Sequence, residues 1–279
     1  MSTARRALDR ATRELRESSD SPRLDAQVLL AHCMGCATTG LLADPDAALA
    51  PAVAQRFARL VRRRRRGEPI AYLTGEREFW SLPLRVSPAT LIPRPETELL
   101  VERALAHIPA GARLAVADLG TGSGAVAMAI ACERPHCRVT ATDCSRAALD
   151  IARDNARRLR LANLEFAHGD WYAAVPGQRF ALIVSNPPYV AADDPHLQIG
   201  DLRFEPGIAL PAGPAGLDAL TKVVHGARAH LAPGGRLAVE HGFDQGGCVA
   251  ALFEAQGFAD IRVSPDAAGH PRVTEGRAP

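Results

Sequence analysis

The chain has 279 residues, 47% of them hydrophobic and 23% charged, with a formal net charge of +2. At about 150 residues per domain this length suggests two domains, and the composition excludes disordered, collagen-like and coiled-coil chains. The most apolar stretch, around Leu114 to Cys132, is broken by Asp118 and several glycines and falls short of the roughly 18 uninterrupted apolar residues of a membrane span. Met1 to Arg10 carries charge without the apolar core of a signal peptide, so a cytoplasmic protein without membrane association is expected.

Residues 1–75 read as a helical domain. Ala4, Ala7, Leu8, Ala11 and Leu15 recur at helical spacing, as do Leu24, Val28 and Leu29, then Val53, Phe57, Leu60 and Val61. Ser21 before Pro22 is a helix start, and Gly35 is placed to end that helix. Cys33 and Cys36 form a CxxC, but no second ligand pair accompanies them, so thiols on a helix are expected and no metal. This part holds thirteen arginines against eight acids, five of the arginines in the run Arg62 to Arg66. The run reads either as a solvated helix end or as a surface for RNA phosphate or the ribosome. Since Lys222 is the single lysine, arginine richness carries little information by itself.

Residues 76–94 read as a hairpin linker, with short apolar and aromatic runs on either side of Pro83. A helix is expected from Pro95, opening a domain of residues 95–279 in which strands and helices alternate. Strands are expected at Leu114–Asp118, Arg138–Thr142, Leu164–Ala167, Phe180–Val184 and Arg236–Glu240. The helices between and after them are Ala125–Cys132, Arg146–Leu159, Leu217–Leu231 and Gln245–Ala255. Alternation of this kind predicts an α/β fold, a mostly parallel sheet with helices on both faces. Two closing extended runs, Ala259–Val263 and Pro271–Thr274, add an antiparallel edge. Leu210 to Gly216, rich in proline and glycine, is expected to form a surface loop.

The chemistry is concentrated at the ends of the expected strands. The first ends in Asp118, then Leu119, Gly120, Thr121, Gly122, Ser123 and Gly124, immediately before an apolar helix. Glycines at this turn let backbone approach a ligand, but the spacing is not that of the dinucleotide fingerprint. Asp143, at the end of the next strand, is placed to accept both hydroxyls of an adenosine ribose; the alternative is a carboxylate at a helix N-terminus, where Ser145 also offers a cap. The combination resembles Rossmann-like methyltransferases that use S-adenosylmethionine. In that class a residue at the turn after the third strand contacts adenine, and Trp171 has the face for it, unless it is a core tryptophan.

A buried strand ending in Asn186-Pro187-Pro188-Tyr189 points to methylation of a planar nitrogen, an adenine amine or a glutamine amide. Such a nitrogen is a poor nucleophile because its lone pair is delocalised. The Asn186 side-chain oxygen and the Pro187 carbonyl are each placed to take one of its hydrogens, and Tyr189 offers a face to the planar group. Orientation of this kind is worth up to about 7–11 kcal/mol, and no general base is required.

The runs Arg77 to Leu82, Leu91 to Glu98, Asn186 to Tyr189 and Arg203 to Pro206, with Gly67 to Tyr72 at the end of the helical domain, resemble the bacterial release factor glutamine methyltransferases (the PrmC or HemK family) over essentially the whole chain. The resemblance implies a Rossmann-like class I methyltransferase domain joined by a β-hairpin linker to an N-terminal helical bundle that recognises the substrate. It implies S-adenosylmethionine as cofactor, with S-adenosylhomocysteine as product. The implied partner is a class I peptide release factor, methylated on the glutamine of its Gly-Gly-Gln loop. By resemblance the cofactor positions are Gly120, Thr121, Gly122, Ser123, Gly124, Asp143, Trp171 and Asn186. The catalytic pair is Asn186 and Pro187, and the substrate positions are Asn186, Pro187, Pro188 and Tyr189. Arg94 and Glu96 either border the glutamine pocket or cap and anchor the following helix. A monomer without direct nucleic-acid binding is expected. A ribosomal-protein glutamine methyltransferase, an adenine-N6 methyltransferase and a non-catalytic module docking on translation factors are the alternatives. The second would bring a basic face, whereas residues 76–279 hold more acidic than basic side chains.

Overall fold

The computed structural model describes residues 3–195, 200–207 and 212–279. Two compact units result, Met1–Glu76 with Gln198–Phe204, and Arg77–Leu197 with Glu205–Pro279.

The first unit contains α1 (Ala4–Leu15), α2 (Pro22–Met34), α3 (Thr38–Ala43), α4 (Pro51–Arg64) and α5 (Ile70–Thr74). The apolar stripe of α1, Ala4, Leu8, Ala11 and Leu15, is buried against Leu29 and Leu30 of α2 and Phe57, Leu60 and Val61 of α4. Gly35 ends α2 in the left-handed conformation, φ 69°. Ser21 occupies the cap position of α2 without a side-chain cap bond. Instead Ser19 and Ser21 donate to Asp25, which is also paired with Arg64 Nε at 2.7 Å. The arginine run is therefore not uniformly solvated: Arg64 is drawn inward by Asp25 and Asp201, Arg63 pairs with Glu68, and Arg62, Arg65 and Arg66 are exposed. Cys33 is buried in the helical core and Cys36 is exposed, both as free thiols.

The second unit opens with a hairpin, β1 (Glu76–Phe79) and β2 (Leu82–Arg85), turned by Trp80 and Ser81 at φ 52° and 58°. Residues from Arg77 on, expected as linker, are built into this unit. Phe79 and Leu84 enter its core, and Asn155 holds Arg85 on both sides, accepting from its N–H at 2.7 Å and donating to its C=O at 2.9 Å. A second Asn155 hydrogen goes to Ser123 C=O at 3.0 Å. After a 3-10 turn (Pro95–Thr97) come α6 (Glu98–Ala106), β3 (Ala115–Leu119), α7 (Ala125–Glu133), β4 (Arg138–Asp143), α8 (Arg146–Leu159), β5 (Leu164–His168) and β6 (Phe180–Ser185). Then follow α9 (Asp218–His230), β7 (Leu231–Glu240), α10 (Gly246–Ala255), β8 (Ala259–Pro265) and β9 (Pro271–Arg277).

The seven-stranded sheet has the order β5-β4-β3-β6-β7-β9-β8, parallel from β5 to β7 and antiparallel in its last two pairings. Successive residues alternate between faces: Val116, Val139 and Val184 pack under α6, α7 and α8, while Ala117, Ile183 and Val239 pack under α9 and α10. The two closing runs form the expected antiparallel edge, with β9 between β7 and β8 and β8 outermost. Leu210 and Pro211 lie outside the described residues. In the rest of the expected surface loop Pro214 and Ala215 are exposed, while Ala212 and Gly216 are buried, Ala212 N–H donating to Val190 C=O at 2.9 Å.

Asn155→Ala leaves the Arg85 amide and carbonyl and the Ser123 carbonyl without their partner. Urea denaturation should register a loss of about 2–4 kcal/mol; a change below about 0.5 kcal/mol would mean that the hairpin is held by its apolar contacts alone.

Candidate active site

The chain leaves β3 for β4 and β5 on one side, then returns to β6 on the other, so the C-terminal ends of β4, β3 and β6 lie side by side, the position where open α/β sheets bind ligands. Leu119 is in register with Thr142 on β4 and Ser185 on β6. Gly120 and Thr121 both donate to Thr142 C=O, and Ser185 Oγ donates to Leu119 C=O at 2.7 Å. These bonds set the glycine loop beside Asn186.

A single cavity collects the strand ends, lined by Gly120, Thr121, Gly122 and Ser123, by Asp143, and by Trp171, together with Asn186, Pro188 and Arg94. Gly124, Pro187, Tyr189 and Glu96, also singled out in the sequence, are not on its wall. Gly124 starts α7 at φ 87°, above Met128 and Ala152, where a side chain has no room. Gly122, at φ 56°, has no atom within 4 Å of where a Cβ would point, so its backbone stays open to the cavity.

Asp143 is fixed by two backbone donors, Gly122 N–H to Oδ2 at 2.9 Å and Ser145 N–H to Oδ1 at 2.8 Å, and Ser145 itself caps α8. This carboxylate anchors the turn before α8 and lies on the cavity wall. Trp171 likewise packs on the α9 side of the core and stands over Gly120, whose Cβ would lie 3.4 Å from the indole. Asn186 donates from Nδ2 to Thr97 Oγ1 at 3.1 Å, and among the described residues nothing donates to its Oδ1. The Tyr189 ring turns away from the cavity wall to pack on the core, and its hydroxyl donates to Glu240 Oε1 at 3.1 Å. It therefore presents no face to the cavity here, because the buried Glu240 captures its hydroxyl.

Arg94 reaches the cavity with its guanidinium paired to the wholly buried Glu205 side chain at 2.6 Å, while Glu96 is exposed in the turn before α6. The pair therefore splits, Arg94 to the cavity and Glu96 to the helix start.

Three groups were not singled out from the sequence as site residues. Asp118, fully buried on the cavity wall, is pushed up to about 6 by burial, against the pull of Thr121 Oγ1 at 2.6 Å and Ala127 N–H at 3.2 Å. Glu240 at the end of β7 is pushed up to about 7 by burial, against the hydroxyls of Thr97 and Tyr189 and the charge of Arg272. Thr97 is buried, lines the cavity and touches Asn186. A usable signal existed for the acids, since each directly follows three apolar strand residues, Ala115 to Ala117 and Leu237 to Val239.

A doubly wound sheet with a glycine turn, an acid closing the next strand and an Asn-Pro-Pro-Tyr loop at adjoining strand ends defines a Rossmann-like methyltransferase. The family model of the methyltransferase small domain matches residues 95–205, and that of the PrmC N-terminal domain matches residues 6–75. The release factor glutamine methyltransferase of Salmonella typhimurium is 50% identical over 97% of this chain and 97% of its own length. That of Escherichia coli is 48% identical over 94% of each. A methyltransferase from Pyrococcus furiosus shares the fold, with TM-score 0.53 at 19% identity over 70% of this chain and 88% of its own. The chain belongs to the release factor glutamine methyltransferase family.

Both Asp118 hydrogen bonds go to one oxygen, so Asp118→Asn retains them. A carboxyl whose folded pKa is raised stabilises the fold fully below its unfolded value of about 3.8 and loses that contribution as pH rises through about 6. The unfolding free energy of the native chain minus that of Asp118→Asn should therefore fall by up to about 3 kcal/mol between those limits and then level off. A difference independent of pH would contradict the burial of an ionisable acid.

Proposed function

We propose that this chain transfers a methyl group from S-adenosylmethionine to the side-chain amide nitrogen of the glutamine in the Gly-Gly-Gln motif of class I peptide release factors. The observation that carries the reading is the meeting, in one cavity, of the Asp143 and Gly122 cradle with an Asn186 whose Oδ1 has no donor among the described residues. The names borne by relatives about 50% identical over nearly the whole chain support the choice of glutamine and release factor.

The residues fit the cofactor. The open backbone at Gly122 gives room for its amino-acid portion, the fixed Asp143 carboxylate retains lone pairs for two ribose hydroxyls, and Trp171 has a face for adenine. Bound there, S-adenosylmethionine supplies an electrophilic methyl group. Asn186 Oδ1 on the cavity wall accepts one hydrogen of the substrate amide, and the carbonyl of the adjoining Pro187, a residue set behind that wall, is assigned the other, which turns the out-of-plane lobe of the nitrogen toward the methyl carbon. The arrangement acts by orientation, since the proton becomes acidic only as the nitrogen is alkylated.

Every described residue lining the cavity belongs to the second unit, and a glutamine side chain is too small to identify a protein. We assign recognition of the release factor to the N-terminal helical domain, where Arg10, Arg62 and Arg65 border a groove between α1 and α4. On this reading the protein works as a cytoplasmic monomer, and its partner is a protein.

Labelled cofactor offered in parallel to intact release factor, a short Gly-Gly-Gln peptide, ribosomal protein and DNA tests the reading. Intact release factor should be the preferred acceptor, the peptide a poor one, and Asn186→Ala should lower turnover on the order of 100-fold. Label in ribosomal protein or DNA but not in release factor would overturn the substrate, and equal use of the peptide would overturn the recognition role.

A further inference from the structure

The Asn-Pro-Pro-Tyr loop has little with which to hold itself in place. Pro187 and Pro188 have no N–H to donate, and in the proposed reaction Asn186 Oδ1 and the Pro187 carbonyl are taken by the substrate amide. Each proline does fix its own φ at about −65°, so the path from Asn186 to Tyr189 has few free rotations. Its placement is then set by what holds its two ends. The entry is held by β6, where Ser185 Oγ donates to Leu119 C=O at 2.7 Å.

The exit is held by Gln245. Its Nε2 donates to Tyr189 C=O at 3.0 Å, with longer contacts of 3.4 Å to the carbonyls of Ala215 and Gly216. Its Oε1 accepts Gly242 N–H at 2.8 Å, and its own backbone N–H donates to Gly242 C=O at 3.0 Å. All these partners are main-chain groups, of which an N–H only donates and a C=O only accepts, so the Gln245 amide has one possible orientation. Gln245 C=O also accepts Val249 N–H at 2.9 Å, which joins this closed turn to α10. Gly216, at φ 68°, packs on the same carbonyl so closely that a Cβ would collide with the Tyr189 oxygen. The ring end of Tyr189 is held from the same stretch of chain, its hydroxyl donating to Glu240 Oε1 at 3.1 Å; a carboxyl keeps an acceptor oxygen whether or not it is ionised.

We propose that Gln245 is a positioning residue for methyl transfer: by holding the Tyr189 carbonyl it fixes the exit of the Asn-Pro-Pro-Tyr loop, and with it the placement of Asn186 and the Pro187 carbonyl. This rests on the reading of that loop as the element that holds the substrate amide. Gln245 is half-buried and is not on the cavity wall, so it acts through the loop. The cradle of Gly122 and Asp143 is fixed by bonds of its own, to which Gln245 does not contribute. Loosening the exit therefore acts on the chemical step and leaves cofactor binding in place.

The test uses Gln245→Glu, which keeps an acceptor for Gly242 and removes the donor to Tyr189, and Gln245→Met, which keeps the shape and adds no charge. Each should lower kcat for release factor at least tenfold, with KM for release factor and for S-adenosylmethionine changed less than about threefold. S-adenosylhomocysteine binding, by calorimetry, should stay within about twofold of native. Tyrosine labelled with carbon-13 at the carbonyl gives three signals, and the one lost in Tyr189→Phe belongs to Tyr189. That signal should shift in both Gln245 variants while the other two stay in place. Native kcat in both variants, an unmoved Tyr189 signal, or loss of S-adenosylhomocysteine binding in both, which would make Gln245 a support of the whole fold, would overturn the positioning role. If one variant alone fails to bind S-adenosylhomocysteine, the other decides. If the native chain does not methylate release factor while the Tyr189 signal shifts as expected, the substrate reading fails and the hold of Gln245 on the loop stands.

Discussion

β3 hydrogen-bonds in parallel to β4 on one side and β6 on the other, and every part of the candidate site depends on that pairing. Because the register matches Leu119 with both Thr142 and Ser185, the glycine loop, Asp143 and Asn186 leave the sheet at the same level. A shift of one residue in β6 would turn Asn186 to the opposite face. The Ser185 hydroxyl, bonded to Leu119 C=O inside the sheet, resists such a shift at the position next to the loop it would displace.

The same strand ends hold the buried acids. Glu240 ends β7, Asp118 stands one residue before the end of β3, and both have carboxyls that burial makes reluctant to ionise. Neighbouring hydroxyls partly offset the cost: Thr121 for Asp118, Tyr189 and Thr97 for Glu240. Buried polar groups with so few partners favour one arrangement of their surroundings, and here those surroundings are the glycine loop and the Asn-Pro-Pro-Tyr loop. Arg94 and Glu205 do the same on the third side, where a charged pair is carried into the cavity wall.

The strand and helix order of the second unit was legible because its strands are short apolar runs between clear breakers, and most bounds fall within a residue or two of expectation. The glycine turn, Asp143 and Asn186 were legible because each lies in a local pattern tied to a strand end. Thr97 was not: it stands in the Pro93 to Glu98 segment that the sequence singles out, but attention falls on the charged Arg94 and Glu96, and burial picked the uncharged residue between Glu96 and Glu98. Asn155 looked like one polar residue among many in a charged helix, though its spacing from Leu149 and Ala152 puts it on the buried face. Tyr189 was misjudged because its hydroxyl partner, Glu240, is 51 residues away. The placement of β9 inside the sheet likewise follows from pairing between distant strands, which periodicity does not encode.

A planar amide nitrogen becomes a usable nucleophile only when its hydrogens are held and its out-of-plane lobe is aimed, and the account turns on Asn186 doing this for a glutamine. Fragment mass spectrometry of a release factor treated with this protein and S-adenosylmethionine tests it most directly. The account predicts a single added methyl group on the side-chain nitrogen of the Gly-Gly-Gln glutamine; a methyl group on lysine, on a terminal amine or on a different glutamine would contradict it.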